Sequence, residues 1–227
     1  LLLIKEIIDG FEVSAAHIRQ AGLDGVELVA SHGYLLGQFL NSNINQRSDA
    51  YGGSRAGRMR FLHEAIAATR RGAGEDMVLG VRLSGEEKDH HGVEIDEMLE
   101  VCAAMDANPA LDYLNVTAGT SAGLAGSTHI VPPMAYEAAY TAPIAAAIKA
   151  RVSKPVFVAG RINQPQIAVA VLQSGQADMC GMTRALISDP QMPAKAARGA
   201  ISDIRACVAC NQACIGHMLN ACAISCI

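Results

Sequence analysis

Hydrophobic and polar positions follow a repeating order along the chain: an apolar helical run, a glycine turn, a short apolar strand and a polar loop. Residues 3–21 place isoleucine, phenylalanine and alanine at helical spacing, which predicts an amphipathic helix. The same criteria predict further helices over 55–71, 94–107, 135–151, 164–175 and 189–199. They predict strands over 25–30, 77–84, 111–119, 154–160 and 177–182.

The five predicted strands are short apolar runs without clean alternation, as in a parallel sheet that is buried on both faces. Alternating strands and helices fit either a doubly wound sheet or a (β/α)₈ barrel. No strand is followed by the GxGxxG turn of dinucleotide-binding folds, which weakens the first alternative. Five units cannot close an eight-stranded barrel. We therefore expect a fragment of a longer protein, with about three barrel units upstream.

Composition narrows the class of protein. The chain has 227 residues, a net charge of −4 and a pI near 6.0, with no basic patch that would indicate nucleic-acid binding. Lys5 and Glu6 interrupt the apolar beginning, which therefore predicts neither a signal peptide nor a membrane span. We expect a cytoplasmic enzyme that acts on a small molecule, and a homo-oligomer is compatible with the sequence.

In barrel enzymes the chemistry lies on the loops after the strands. The loop after the first strand runs for more than twenty residues, and loops of this length are usually functional. His32 and Tyr34 stand at its beginning and are candidate catalytic residues; the alternative is that they are solvated loop side chains. Arg82 lies near the end of the second strand, where a charge is costly without a partner, and an anionic ligand would supply one.

The loops after the last two strands each carry an arginine beside a small residue. Gly160 and Arg161 follow one strand, and Thr183 and Arg184 follow the other. Barrel enzymes often bind a phosphate at these two loops, and guanidinium groups suit a phosphate well. The sequence therefore predicts a phosphate site here, with surface salt bridges as the alternative.

Five of the seven cysteines lie near the end of the chain. Cys207, Cys210 and Cys214 share one short loop, and Cys222 and Cys226 follow. Four thiolates suit either Zn²⁺ or an iron–sulfur cluster, and three ligands in one tight loop favour a [4Fe–4S] cluster. Structural zinc, free thiols and the choice of the fourth ligand remain open at this point.

Several stretches together resemble the Old Yellow Enzyme family of NADH:flavin oxidoreductases. The resemblance is to its iron–sulfur flavoprotein branch, which includes 2,4-dienoyl-CoA reductase, trimethylamine dehydrogenase and the N-methylproline and dimethylglycine demethylases. The matching stretches are AGLDGVEL, HGYLLGQFLN, NQRSDAYGGS, RMRFL, GVRLS, PVFVAGRI, ADMCGMTRALISDP and CVACNQACIGH. They cover nearly the whole chain in the order of the family.

The resemblance implies an FMN-binding (β/α)₈ TIM barrel. Residues 1–203 would hold about strands four to eight, and residues 204–227 would form an iron–sulfur segment. Domains that bind FAD and NAD(P)H would lie further downstream.

The resemblance also implies roles for individual residues. Arg82 would face the N1/O2 edge of the flavin, Tyr34 would be the proton donor, and His32 would contact substrate. The cluster ligands would be Cys207, Cys210, Cys214 and Cys226. The phosphate would be bound by Gly160, Arg161, Thr183 and Arg184.

Two positions depart from the family pattern. Val29 stands where many ene-reductases have a second histidine, and Thr183 stands where many relatives have glycine before the arginine.

The activity that the resemblance implies is hydride transfer between flavin N5 and a small organic substrate. It would be either reduction of an enoate or dienoyl-CoA C=C bond with NAD(P)H, or oxidative N-demethylation. The alternatives are a zinc-stapled barrel lyase or isomerase acting on a phosphorylated substrate, and a non-catalytic remnant that docks to partners.

Overall fold

The computed structural model describes residues 1–227. Its strands are β1 (Gly25–Ala30), β2 (Val78–Glu86), β3 (Tyr113–Ala118), β4 (Val156–Ala159) and β5 (Met179–Gly181). Its helices are α1 (Leu2–Gln20), α2 (Leu35–Leu40), α3 (Arg55–Ala73), α4 (Ile95–Asp106), α5 (Leu124–Ile130), α6 (Ala142–Lys149), α7 (Pro165–Gln173), α8 (Thr183–Ser188), α9 (Met192–Ala197) and α10 (His217–Leu219). None of the helices combines the length and the apolar character that crossing a membrane requires.

The five strands form one parallel sheet in the order β1-β2-β3-β4-β5. Spatial order therefore equals chain order, and each strand pairs with the next one along the sequence. A doubly wound sheet reverses its strand order at a switch point, and this sheet has no reversal. The α/β class and the parallel sheet are confirmed, and the doubly wound alternative is wrong.

The two faces of the sheet differ in chemistry. Strand side chains such as Leu79, Val81 and Leu83 are fully buried and belong to one apolar core with helix residues such as Phe61 and Leu62. Residues at the alternate strand positions include Glu27, Arg82, Asn115 and Phe157, and these are only half-buried. The helices thus cover one face, and polar and aromatic groups line the other.

All five strands occur where the sequence predicts them, and a helix is present within the predicted range 135–151 but is shorter. The helix there, α6, begins at Ala142, and Pro143 lies in its first turn, where the missing N–H of proline costs nothing. The pattern also missed α2 inside the long first loop, α5 after β3 and α8 after β5. Each of these helices has only six or seven residues, too few for a helical period to show.

The cysteine-rich segment packs on the loops that follow β3, β4 and β5. The Ala209 carbonyl accepts from the Met134 N–H at 2.9 Å, and the Ser188 hydroxyl donates to the Arg205 carbonyl at 3.0 Å. Residues Gln212–Gly216 form one π-helical turn that leads into α10. The segment is thereby held at the carboxyl ends of the strands.

Candidate active site

A cavity of about 330 Å³, called the large cavity below, opens at the carboxyl ends of the strands. Its lining at the β1–β3 end includes His32, Arg82 and Thr117, and at the β4–β5 end it includes residues 159–163 and 181–184. The cysteine-rich segment closes one side with Cys207, Ala209, Cys214, Ile215 and Ile224. Apart from Tyr34, all the predicted catalytic and cofactor-binding residues meet here. No aspartate or glutamate lines the cavity.

His32 is fixed at the β1–β3 end by its own backbone. Its φ of 59° is in the left-handed region, and its N–H donates to the Ser84 hydroxyl at 2.9 Å. Ser84 in turn donates to the Gly119 carbonyl, while the Ser121 hydroxyl donates to the His32 carbonyl at 2.9 Å. The loops after β1 and β3 therefore hold the residue between them.

The imidazole of His32 is neutral at physiological pH. Burial lowers its pKa to about 4, and the nearby charge of Arg82 acts in the same direction. The Ser31 hydroxyl lies 2.9 Å from Nδ1. A neutral ring cannot deliver a proton as an imidazolium, but it can form a hydrogen bond to a ligand oxygen.

Arg82 has a protein partner that the sequence pattern does not predict. Its Nη2 lies 2.6 Å from Oε1 of Glu27 on the neighbouring strand. The expectation that an anionic ligand would supply the partner is therefore wrong for this edge of the guanidinium. The Nε of Arg82, by contrast, is buried and has no hydrogen-bond partner.

The two arginines at the β4–β5 end have no carboxylate partner, so the surface salt-bridge alternative is wrong. Arg161 has a φ of 52°, binds the Tyr136 carbonyl and leaves its buried Nε without a partner. Arg184 donates through Nη1 to the Pro132 carbonyl at 2.8 Å and to Oδ1 of Asn211 at 2.7 Å. Burial lowers the pKa of Arg184, and the neighbouring thiols oppose this shift.

Asn211 connects Arg184 to the cysteine-rich segment. Its side chain accepts from Arg184 and donates through Nδ2 to the Val131 carbonyl at 2.7 Å. Its φ of 61° is left-handed, and its carbonyl accepts from the Gly216 N–H at the π-helical turn. One residue thus ties the loop after β3, the loop after β5 and the cysteine loop together.

The four predicted cluster ligands share a second cavity of about 20 Å³. Cys207, Cys210, Cys214 and Cys226 all line it, whereas Cys222 is exposed and does not. All seven cysteines are free thiols. No three histidine, cysteine or acidic side chains are placed to hold a single metal ion. Arg184, Ile187, Cys207 and Cys214 line both cavities.

The two remaining cysteines lie apart from this group. Cys102 is fully buried in the core on α4, and burial raises its pKa to about 12. Burial also raises the pKa of Cys180 on β5. Thiols with raised pKa values are poor metal ligands, and neither residue belongs to the predicted set.

Tyr34 lies next to the large cavity and not in its wall. Its ring centroid is 6.3 Å from that of His32 in an edge-on arrangement, and the residue is 55% exposed. It borders a separate apolar groove between α1, β1 and α2. Its proposed role as proton donor remains a prediction.

The large cavity fits FMN by the chemistry of its donors. Three arginines line it, and two of them carry a buried Nε with no partner, an unusual state for a charged group. A dianionic phosphate and the polar edge of a flavin ring are acceptors that would satisfy such donors. Four thiols line the second cavity, and thiolates are the type of ligand that iron–sulfur clusters use.

Two residues of the site were missed from the sequence. Glu27 stands inside an apolar strand, GVELVA, where a carboxylate needs a partner, so its position was a usable signal. Asn211 follows Cys210 in the cysteine loop, and asparagine tolerates the left-handed conformation better than most residues. Its contact with Arg184, 27 positions away in sequence, carries no local signal.

The chain belongs to the NADH:flavin oxidoreductase / NADH oxidase family, whose sequence profile matches residues 3–202. It is 40% identical to a metal reductase of Desulforamulus reducens over 225 residues, which is 99% of this chain and 33% of the relative. It is 36% identical over 224 residues to an N,N-dimethylglycine/sarcosine dehydrogenase of Chromohalobacter salexigens, covering 99% of this chain and 32% of that enzyme.

Among solved structures, a 2-naphthoyl-CoA reductase in complex with 2-naphthoyl-CoA superimposes with a TM-score of 0.91 at 31% identity. The match covers 98% of this chain and 33% of that one. The chain thus spans about one third of the length of these relatives. Membership of a flavin oxidoreductase family removes the support for the zinc-stapled lyase or isomerase alternative.

Proposed function

We propose that this chain is part of an FMN-dependent oxidoreductase and that FMN binds in the large cavity. The observation that carries the proposal is the lining, which holds three arginines, two unpartnered Nε donors and no carboxylate. Gly160, Arg161, Thr183 and Arg184 would hold the phosphate, and Arg82 would face the ring. Such a distribution of positive charge suits an anionic cofactor.

The sheet is then part of a TIM barrel, with the five strands as its fourth to eighth. Parallel strands in chain order, with helices on one face, are how consecutive units of a barrel are arranged. The half-buried polar face of the sheet would line the barrel interior. Residues 1–203 would form the barrel part, and 204–227 the cluster segment.

The second cavity would hold a [4Fe–4S] cluster through Cys207, Cys210, Cys214 and Cys226. All four thiols line it, and two of them also line the large cavity. The two cofactors would therefore share a wall, which gives electrons a short path between them. FAD and NAD(P)H would bind in the remaining two thirds of the full-length protein.

When bound, FMN supplies hydride transfer at its N5 atom, in either direction. Arg82 would supply positive charge to the ring, and the neutral His32 would offer a hydrogen bond to a substrate oxygen. The Tyr34 ring lies beside that of His32, and its hydroxyl would be the proton donor. These groups serve either reduction of an activated alkene or oxidation of an N-methyl group. The relatives named 2-naphthoyl-CoA reductase and N,N-dimethylglycine/sarcosine dehydrogenase are consistent with a reductive and an oxidative reaction, respectively.

The number and spacing of the cysteines support a reducing compartment. Seven is an odd count, and five of the seven lie near one end, which suits a disulfide framework poorly. We propose that the protein is cytoplasmic.

The test is the visible spectrum of the full-length protein, purified without oxygen, together with its content of iron and acid-labile sulfide. Flavin absorbance over a broad iron–sulfur background is expected. Cys207→Ser, Cys210→Ser, Cys214→Ser and Cys226→Ser should each lower the iron content.

Cys222→Ser is the matched control, because this thiol is exposed and lies outside the cavity. It should leave the iron content unchanged. A colourless wild-type protein would contradict the proposed function. Loss of iron in Cys222→Ser with retention in Cys226→Ser would contradict the ligand assignment alone.

A further inference from the structure

Glu27 occupies an unusual place for a carboxylate, the middle of the apolar strand β1. Its side chain is only 17% exposed and lies on the polar face of the sheet. In the strand register Glu27 stands opposite Gly80, and Gly80 stands opposite Tyr113. A partly buried charge at such a position must be satisfied by other groups.

Three side chains from two other strands satisfy it. Oε1 pairs with Nη2 of Arg82 at 2.6 Å. Oε2 accepts from the Tyr113 hydroxyl at 3.0 Å and from Nδ2 of Asn115 at 2.8 Å. The Tyr113 ring stacks on Phe157 of β4 with centroids 4.2 Å apart. Both carboxylate oxygens are therefore held in fixed directions by groups that are themselves packed.

Glu27 and Arg82 differ in their position relative to the large cavity, and therefore in the role each can have. Arg82 lines the large cavity, whereas Glu27 does not. The carboxylate engages Nη2 and leaves the buried Nε without a partner. The guanidinium is thus oriented from the side away from the cavity, and its charge is partly offset there, while donor capacity remains for a ligand.

We propose that Glu27 is a positioning residue that orients Arg82 and offsets its charge, and thereby limits how strongly Arg82 stabilises reduced FMN. This inference rests on the proposed function, namely that FMN binds in the large cavity. Reduction adds negative charge to the flavin, and the positive charge of Arg82 favours that state. The carboxylate of Glu27 opposes this effect, so removing its charge should favour reduction.

The experiment is a spectroscopic redox titration of Glu27→Gln in the full-length protein, against a dye of known potential. Glutamine keeps the shape and can still accept from Arg82, but it carries no charge. The equilibrium between oxidised and reduced FMN should shift about tenfold toward the reduced form, a rise of about 30 mV for a two-electron couple. FMN should remain bound.

Glu97→Gln is the matched control. Glu97 pairs with the buried Arg58 in the helix layer, away from both cavities, so the substitution removes the same charge from a comparable ion pair. It should not change the potential. Glu27→Asp keeps the charge but withdraws it from Arg82, and its potential should lie between those of the wild type and Glu27→Gln.

An unchanged or lowered potential in Glu27→Gln with FMN bound would overturn the inference and leave the proposed function standing. If Glu27→Gln did not fold, a Glu27→Asp protein with the wild-type potential would overturn it as well. An equal rise in Glu97→Gln would show a non-specific charge effect and would also overturn it. A wild-type protein without flavin would overturn the proposed function and this inference together.

Discussion

The arginines at the two ends of the large cavity have different kinds of partner. At the β1–β3 end Arg82 pairs with the carboxylate of Glu27, and that carboxylate is itself fully hydrogen-bonded. At the β4–β5 end Arg161 and Arg184 are held only by neutral groups, which are backbone carbonyls and the amide of Asn211. The same residue type is thus compensated at one end and uncompensated at the other.

We infer from this difference that the three arginines in the cavity have different tasks. An arginine paired with a carboxylate offers directed N–H donors with little net charge. An arginine held by carbonyl groups keeps its full charge, which suits a phosphate dianion. We therefore expect substitutions at the β1–β3 end to alter chemistry while FMN remains bound. Substitutions at the β4–β5 end should release FMN.

Tyr34→Phe gives the largest expected effect at the β1–β3 end. If Tyr34 protonates an alkene carbon, stopped-flow measurements should show alkene reduction slowed by about 10²- to 10⁴-fold. If the enzyme oxidises N-methyl groups, no acid is needed at that step, and the loss should mainly raise KM. FMN retention should be unchanged in both cases.

Tyr51→Phe, on the same long loop, serves as the control, because its hydroxyl bonds Glu64 and not the cavity. Alkene reduction by Tyr34→Phe at the wild-type rate would remove Tyr34 from the acid role. Tyr34 is exposed and lies beside the cavity, not in its wall, so the acid role requires its hydroxyl to reach a substrate that is bound there.

Arg184→Ala tests the β4–β5 end. A hydrogen bond to a charged group contributes about 1.5–3 kcal/mol, so the Kd for FMN should rise about 10- to 100-fold. Equilibrium dialysis with fluorescence detection measures this directly. Arg198→Ala changes the same charge at an exposed residue outside both cavities and should leave the Kd unchanged. Equal retention in both variants would place the phosphate elsewhere.

The pH dependence of stability tests the burial of His32. Because folding lowers its pKa from 6.5 to about 4, the stabilisation is complete above pH 6.5 and is lost as the pH falls toward 4. Between pH 7 and 5.5 the wild type should lose about 1 kcal/mol of unfolding free energy through this residue.

His32→Asn is the comparison, because asparagine does not titrate and tolerates the left-handed backbone. Urea unfolding of both proteins at the two pH values gives the difference. Parallel losses in the two proteins would show that His32 titrates normally and is not buried as described.

Asn211→Gly gives the smallest effect and separates two tasks of the cysteine loop. Glycine keeps the left-handed conformation and removes only the amide that orients Arg184. The amide orients Arg184 but does not itself contact the ligand, so the rise in the Kd for FMN should be smaller than in Arg184→Ala, about 2- to 10-fold. The iron content should not change. Asn220→Gly, further along the segment, is the control; loss of iron with normal FMN binding in Asn211→Gly would show that the amide serves the cluster loop instead.

The sequence predicts the strands well because each is a compact apolar run between turn signals. The long helices α1, α3 and α4 were also predicted nearly to their ends, since their apolar period extends over several turns. The short helices were missed because tertiary contacts decide them. For α6 the predicted start was too early. Pro143 marks the first turn of this helix, so the sequence did contain a signal for the correct start.

The sequence predicted the location of the site, because the site residues follow the carboxyl ends of the strands. Arg82, Arg161 and Arg184 meet at one cavity because parallel strands bring their carboxyl ends together. The pairing of these arginines with their partners was not predictable, since each partner lies far away in sequence; the strand pattern shows only that Glu27 needs a partner. Glu27 and Arg82 are neighbours only through the register of β1 with β2.

The polar network around Glu27 depends on the absence of a side chain at Gly80. A Cβ at this position would lie 2.0 Å from Cζ of Tyr113, so the aromatic ring occupies the space of the absent side chain. The ring positions the hydroxyl that binds Glu27. A single methyl group on an apolar strand would thus displace a chain of contacts that ends at Arg82. For an evolving lineage, this offers a way to change the surroundings of Arg82 without altering any charged residue.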